Sequence, residues 1–499
     1  MRRFMSVLLL LVFFFFLSAI RSTLYANNIT VSNVAITGQS TSAQACKVQF
    51  GISWDNSWRN AINYDAAWVF VKYSTDSGAT WAHATLKSAD GDTNPLDDGT
   101  GWSAGSGTAL QMVIPSASTD KKGVFLRRSA SGSGTVSTTN IQLVWNWGAD
   151  KLSSDGTTAI TTSTTARVKV FAIEMVYIPE GTFSAGSGGG ESSCFTKTMI
   201  NTANATTAPS GSPLAGGYPS GQTAPNNASW PNGFGAFYIM KYDVSQGQWV
   251  DFFNTLTANQ KTTRDITGGV LNSTGKASDN EVNRNTISWS SGDASAGANQ
   301  YVGCNFLSWA DVTAYADWAG LRPFTELEYE KAARGTASAV ANEYAWGSTA
   351  DTRVTGITNS GASNETATNS GNITYGNHAS VQGPMRCGFA ATASTTRQQA
   401  GASYYGVMEL SGNLWKRPVT IGNTDGRAFT GLHGDGALDA SGNANVTNWP
   451  GTAASGSGFR GGAWGDDVTN ARVSDRYYAA YTSTFRHYNY GARCARTSP

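Results

Sequence analysis

The sequence predicts a multi-domain protein. A signal peptide at 1–26 precedes an antiparallel β-sandwich accessory domain over 27–172, and an α+β, loop-rich domain follows over 173–499. Three observations carry this. At 499 residues the chain exceeds one ordinary domain of ~150. Its first part runs strand after strand between turn sequences. Its second part opens three helices and then becomes Gly-rich loop with short aromatic strands.

At the start, Arg2 and Arg3 precede an unbroken apolar run from Val7 to Leu17, and small or polar residues follow. That is the charged head and short apolar core of an export signal, with cleavage after Ala26. The run is shorter than the ~20 residues of a spanning helix. The protein is therefore expected to be secreted, periplasmic or on the cell surface, meeting a membrane only through this signal if it stays uncleaved.

Ile29–Ile36, Lys47–Trp54, Ala67–Tyr73, Leu110–Ile114, Gly123–Arg127, Ile141–Trp147 and Ala166–Ile173 are rich in Val, Ile, Phe, Trp and Tyr. Asp-Ser-Gly, Asp-Asp-Gly-Thr-Gly and Ser-Gly-Ser-Gly punctuate them, as turns do. This spacing predicts the sandwich, which holds no catalytic constellation. After the strand Met175–Phe183 comes a Gly/Ser/Thr/Asn loop over Gly186–Asn232. Ser245 with Gln248, Ser308 with Asp311 and Thr325 with Glu328 then form capping boxes that open three helices. On the third, Glu326, Glu328 and Glu330 are read as capping and surface charges.

Composition excludes several functions. Lys plus Arg is 35 against 34 Asp plus Glu, a balance that no nucleic-acid binder normally shows. The five cysteines include no CxxC, and the four histidines form no HxH or HxxxH array, so zinc and histidine-rich centres are not expected. Export makes one or two disulfides expected, with at least one thiol left over. Asp466-Asp467 could pair as general acid and base, but adjacent loop acids are more often solvated.

Eight motifs then appear in order: Met175-Val-Tyr-Ile-Pro-Glu-Gly-Thr-Phe183, Phe237–Ser245, Ser308-Trp-Ala-Asp311, Trp318–Gly335, Tyr344-Ala-Trp-Gly347, Gly406-Val-Met-Glu-Leu-Ser-Gly-Asn-Leu-Trp415, Gly458-Phe-Arg-Gly-Gly-Ala-Trp464 and Gly491-Ala-Arg-Cys-Ala495. Over about 174–496 the chain resembles the sulfatase-modifying-factor family, typified by the formylglycine-generating enzyme. The resemblance implies a C-type-lectin-like fold and, in active members, copper- and dioxygen-dependent oxidation of a sulfatase cysteine. Those members hold Cu(I) with two cysteines shortly after the Gly-Gly motif, as soft thiolates suit it. Here no cysteine lies between Cys387 and Cys494, so copper is not expected. The resemblance also implies a Cys304–Cys494 disulfide. It further implies a calcium held by hard oxygens at Glu409, Gly412 and Leu414, but Lys416 stands where the family has an acid. Two alternatives compete, a weakened calcium site and a Lys416–Glu409 ion pair filling the same hole; the ion pair is favoured. No other cofactor is expected.

The richest stretch for binding is Asp466–Tyr490. Asp466, Asp467, Asn470, Asp475, Tyr477, Tyr478, Tyr481, Phe485, His487, Tyr488 and Asn489 lie within a frame of Arg472, Arg476, Arg486 and Arg493. Tyr among Ser, Asn and Asp on loops is the composition of recognition surfaces. The stretch also resembles the carboxy-terminal variable segment of retroelement-diversified lectin-fold proteins, whose diversified codons yield Asn, Tyr, Asp, His, Ser and Phe. The expected function is non-catalytic recognition of an unidentified protein or glycan. The alternative is a formylglycine-generating oxidase with a rearranged metal centre.

Overall fold

The computed structural model describes residues 28–87, 102–115, 121–150, 160, 164–206, 222–225 and 227–499. The export signal lies outside them. Among the described residues no helix is long and apolar enough to cross a membrane.

The strand-rich first part forms two antiparallel sheets. Thr30–Ser40, Ala45–Arg59 and Gly132–Trp145 pair in that order, with the short strands Trp102–Ser103 and Ser106–Gly107 on Gly132–Trp145. The second sheet runs Leu110–Val113, Val124–Arg128, Asp65–Ser74, Arg167–Ile178, Phe237–Met240, Ala495–Thr497 in space, with Ala82–His83 paired to Asp65–Ser74. Asp65–Ser74 is buried along its whole length, and the two-residue period of a strand explains how. Ala67, Val69, Val71 and Tyr73 meet Val48, Phe50 and Leu143 in the apolar layer between the sheets. Ala66, Trp68 and Phe70 turn to the other face, into the apolar cluster that holds Tyr238 and Trp309, with Phe70 edge-on to Trp318 at 5.1 Å.

The expected boundary at 172/173 falls inside the Arg167–Ile178 strand. That strand pairs with Asp65–Ser74 from Arg167 to Val176, and its last four residues also pair with Phe237–Met240. The two parts of the chain thus share a strand instead of meeting at a linker. Side chains reinforce the join: Trp68 Nε1 donates to the Ala319 carbonyl at 2.8 Å, and Asn63 Nδ2 to that of Tyr405 at 2.7 Å. Lys241 Nζ lies 3.0 Å from both Asp65 and Glu174.

All three capping boxes form, opening helices Gln246–Phe253, Trp309–Trp318 and Glu326–Arg334. Thr257 with Gln260 adds a fourth, on Ala258–Arg264. Gly335 ends the third predicted helix at φ +64°, where its missing Cβ matters because Tyr404 packs directly over it. Beyond it the domain is mostly loop, held by side chains.

Two expectations are corrected. Cys304 and Cys494 are both buried in the apolar layer with Leu307 and Tyr315, yet both are free thiols; no disulfide joins described residues. Glu326, Glu328 and Glu330 are not surface charges, since all three are buried. Helical geometry separates them: positions four apart share a face and the one between them does not. Glu326 and Glu330 both bind Arg460, at 3.1 and 2.7 Å. Glu328, on the other side, pairs with Arg322 and caps Thr325.

Candidate functional site

The site grows from the glycine-tryptophan motifs. Gly461 has φ +86°, and a Cβ there would meet the Leu410 carbonyl oxygen at 2.2 Å. Only glycine lets the Gly458–Trp464 motif lie against Gly406–Trp415. Trp415 and Phe459 then form a buried aromatic floor, with Trp464 beside it.

The terminal segment crosses this floor with no regular secondary structure from Arg472 to Gly491. Buried charge pairs pin it. Arg476 binds both oxygens of Glu326, at 2.7 and 3.0 Å. Arg486 binds both oxygens of Asp311, each at 2.7 Å. Arg493 donates to Asp243 at 2.8 Å and to the Met240 and Met408 carbonyls. Bidentate guanidinium–carboxylate pairs fix direction as well as distance. Arg472, the fourth member of the frame, lies against the Tyr344 hydroxyl.

Between these pins the predicted site residues divide into two sets. Tyr477, Tyr481 and Phe485 are 62%, 52% and 50% exposed. Tyr478 is half-buried, with its ring 4.6 Å from Tyr477, 5.7 Å from Tyr481 and 5.6 Å from Trp415. His487 and Tyr488 are half-buried too; Tyr488 packs on Trp464 at 5.2 Å, and burial lowers the His487 pKa. Asn470 is half-buried on the short turn Val468–Ala471. Asp475 and Asn489 turn inward instead, only 4% and 3% exposed. Asp475 accepts from the Tyr477 amide and Asn489 donates to Asp466, so both shape the loop from within.

Asp466 and Asp467 do not act as a pair. Asp466 Oδ2 accepts from Trp415 Nε1 at 2.7 Å and Asn489 Nδ2 at 2.8 Å; burial pushes its pKa up to about 6, against the Trp415 bond. Asp467 is exposed and caps the turn, accepting from the Thr469 amide and hydroxyl.

The calcium candidates Glu409, Gly412 and Leu414 are arranged without the favoured Lys416–Glu409 ion pair. Glu409 Oε1 accepts from the Gly388 amide at 2.6 Å, and its Oε2 has no partner. Lys416 makes no ion pair with Glu409; its ammonium donates to the Gly412 carbonyl. One oxygen that a cation would use is therefore already held by a fixed positive charge. Leu414 is buried against Gly303 and Gly491. Burial and the Asp243 charge raise the Glu409 pKa to about 7, and burial lowers that of Lys416 to about 8.

Cys387 and Cys494 lie in different apolar clusters. Cys387 Sγ donates to the Asp243 carbonyl at 3.3 Å within one small apolar cluster, while Cys494 lies in the main layer. Burial raises the pKa of both thiols. Among the described residues no three His, Cys, Asp or Glu come together as a metal-binding group.

Fold and site together define a β-rich domain of long loops, organised by glycine-tryptophan motifs around a core of buried ion pairs. The model of the sulfatase-modifying factor enzyme 1-like domain matches residues 161–498, and the chain belongs to that family. No curated protein matches the chain.

Sequence reasoning missed the acid partners of the frame, Glu326, Asp311 and Asp243. A signal was present: Glu326, Glu328 and Glu330 at two-residue spacing cannot all face solvent on one helix. It also missed the loop Gly268–Gly275, which receives the Arg486 amide on the Ser273 carbonyl at 2.8 Å and exposes Val270 and Leu271 beside the segment.

Proposed function

We propose that the protein is an exported, non-catalytic recognition protein whose terminal segment is the binding surface of a formylglycine-generating-enzyme-like scaffold. The observation that carries this is the contrast along one segment. Arg476, Arg486 and Arg493 are locked to buried carboxylates, while Tyr477, Tyr481 and Phe485 between them stand half or more exposed. Rigid aromatics on a fixed loop lose little entropy on binding, the condition for anchor residues. Such a frame also accommodates exchange of the outward side chains, as a diversified segment requires. The burial of Cys387 and Cys494 in different clusters, with no cysteine after the Gly-Gly motif until Cys494, argues against the oxidase alternative, and Lys416 on the Gly412 carbonyl argues for a fold that does without calcium there.

The test is selection of a displayed random-peptide library on the protein, followed by binding of enriched clones to Tyr477→Ala and Tyr481→Ala. The reading expects lost binding with unchanged melting. Clones that bind wild type and variants alike refute the assignment of the surface. Conversion of a sulfatase-type cysteine peptide to formylglycine with copper and dioxygen refutes the non-catalytic reading.

A further inference from the structure

Beside the two most exposed tyrosines lies a cleft of about 490 Å³, lined by Tyr477, Tyr481, Ser193, Thr223, Arg427 and Arg476. Among the described residues no carboxylate lines it. The charge of Arg476 is balanced from beneath, because Glu326 takes it with two bonds. Arg427 differs. Its Nη1 donates to the Ile421 carbonyl at 2.9 Å and its Nη2 to the Thr424 hydroxyl at 3.1 Å, and it forms no ion pair with a described residue. A guanidinium has five N–H donors, so three remain, on a side chain already oriented by two fixed acceptors.

A cleft with an unbalanced, pre-oriented guanidinium, a hydroxyl rim and aromatic walls selects a carboxylate, whose two oxygens match the planar fork. The source of that carboxylate follows from the other end of the segment. The segment continues from Tyr481 to Phe485, and Arg486 ties it to the Gly268–Gly275 loop. There Val270 and Leu271 are 65% and 48% exposed. The loop is stiff, with the amides of Ser273, Thr274 and Gly275 all donating to the Val270 carbonyl. Fixed apolar side chains beside tyrosines complement a protein surface; a polyhydroxylated glycan offers them little to bury.

We infer that this cleft receives an acidic side chain of a protein partner, with Arg427 as its charge partner. The inference rests on the recognition reading and adds to it the class of partner and one residue outside the segment. The test uses the full-length mature protein labelled with ¹⁵N-arginine. The probes are Ac-Gly-Phe-Asp-Phe-Gly-NH2, its Asn counterpart and free glucuronic acid, each titrated while the Arg427 Nε–H signal is followed. The Asp peptide is expected to shift that signal and to bind about fivefold more tightly than the Asn peptide. Arg427→Gln should abolish the preference, and Arg427→Lys should retain part of it, both with wild-type melting. Equal binding of the two peptides, or a preference that survives Arg427→Gln, overturns the inference. Glucuronic acid matching the Asp peptide overturns the protein assignment in favour of an acidic sugar. Failure of the recognition reading would show elsewhere, in tyrosine variants that unfold.

Discussion

Replacing Asp311 by Asn removes one charge on which the geometry of the terminal segment depends. Asp311 is wholly buried, accepting from Arg264 at 2.9 Å, from Arg486 twice at 2.7 Å, and from the amide and hydroxyl of Ser308. Burial alone would raise its pKa, but Arg486 and Arg264 overcome that and hold it at about 2. Asn keeps the shape and one acceptor while leaving two guanidiniums without a counter-charge. Breaking a buried pair from one side costs about 3–5 kcal/mol. The charge-dependent part can be approached separately from the pKa, about 2 in the fold against ~3.9 for a free Asp, which amounts to roughly 2–3 kcal/mol. The sign is fixed, since a carboxylate lowered by folding stabilises above its unfolded pKa and loses that contribution as pH falls through the folded one. Urea unfolding at pH 7 should therefore show Asp311→Asn several kcal/mol less stable. Between pH 4 and 2 the wild type should lose stability that the variant has already lost. A variant within ~0.5 kcal/mol of wild type, or acid limbs that run parallel, would refute the reasoning.

Three further outcomes are expected. Burial raises the pKa values of Glu174, Asp317 and Glu409 to about 7 and lowers those of Lys276, Lys331 and Lys416 to about 8. The acids' contribution is lost as pH rises through 7 and the lysines' as pH falls through 8, so calorimetry should find the lowest neutral-range melting temperature between pH 7 and 8; a monotonic profile counts against this. Wild-type melting should be the same in EDTA and in calcium, whereas Lys416→Glu should melt lower in EDTA and recover in part with calcium; a calcium-dependent wild type would show that Lys416 does not replace the ion. A fragment of residues 173–499 should fail to fold cooperatively, because it lacks the Asp65–Ser74 strand that supplies Trp68 and Phe70 to the main apolar layer; a sharp calorimetric transition of that fragment would contradict the shared-strand architecture.

The parts of this fold legible in the sequence are those written in local chemistry. Strands announced themselves through β-branched and aromatic runs, and helices through Ser or Thr with Gln, Asp or Glu three residues on, which bond to each other's amides at short range. What stayed hidden depends on contacts between residues far apart in the chain. Asp65, Glu174 and Lys241 meet across a sheet, and nothing near any of them in sequence says so. Their junction is what turns an expected domain boundary into a continuous strand. In the site, Tyr477, Tyr481 and Phe485 were legible because Asp466–Tyr490 sets aromatics among Ser, Asn and Asp on a loop. Composition could not separate them from Asp475 and Asn489, whose polar groups are consumed within the loop. Lys416 was recognised as replacing an acid, but its partner proved to be the Gly412 carbonyl, which lies only four residues back along a bent stretch, while Glu409 is held by Gly388.

The central claim is that a frame of buried arginine–carboxylate pairs presents side chains the fold does not need. Its most direct measurement is a library randomised at Tyr477, Tyr481 and Phe485, scored for protease-resistant folded protein, beside an equal library randomised at Arg476, Arg486 and Arg493. The account predicts that most members of the first library fold as wild type, since exposed positions usually change stability by less than ~0.5 kcal/mol, and that few members of the second fold at all. Loss of folding across the first library, to the level of the second, would show that these rings are core and that the segment is not a recognition surface.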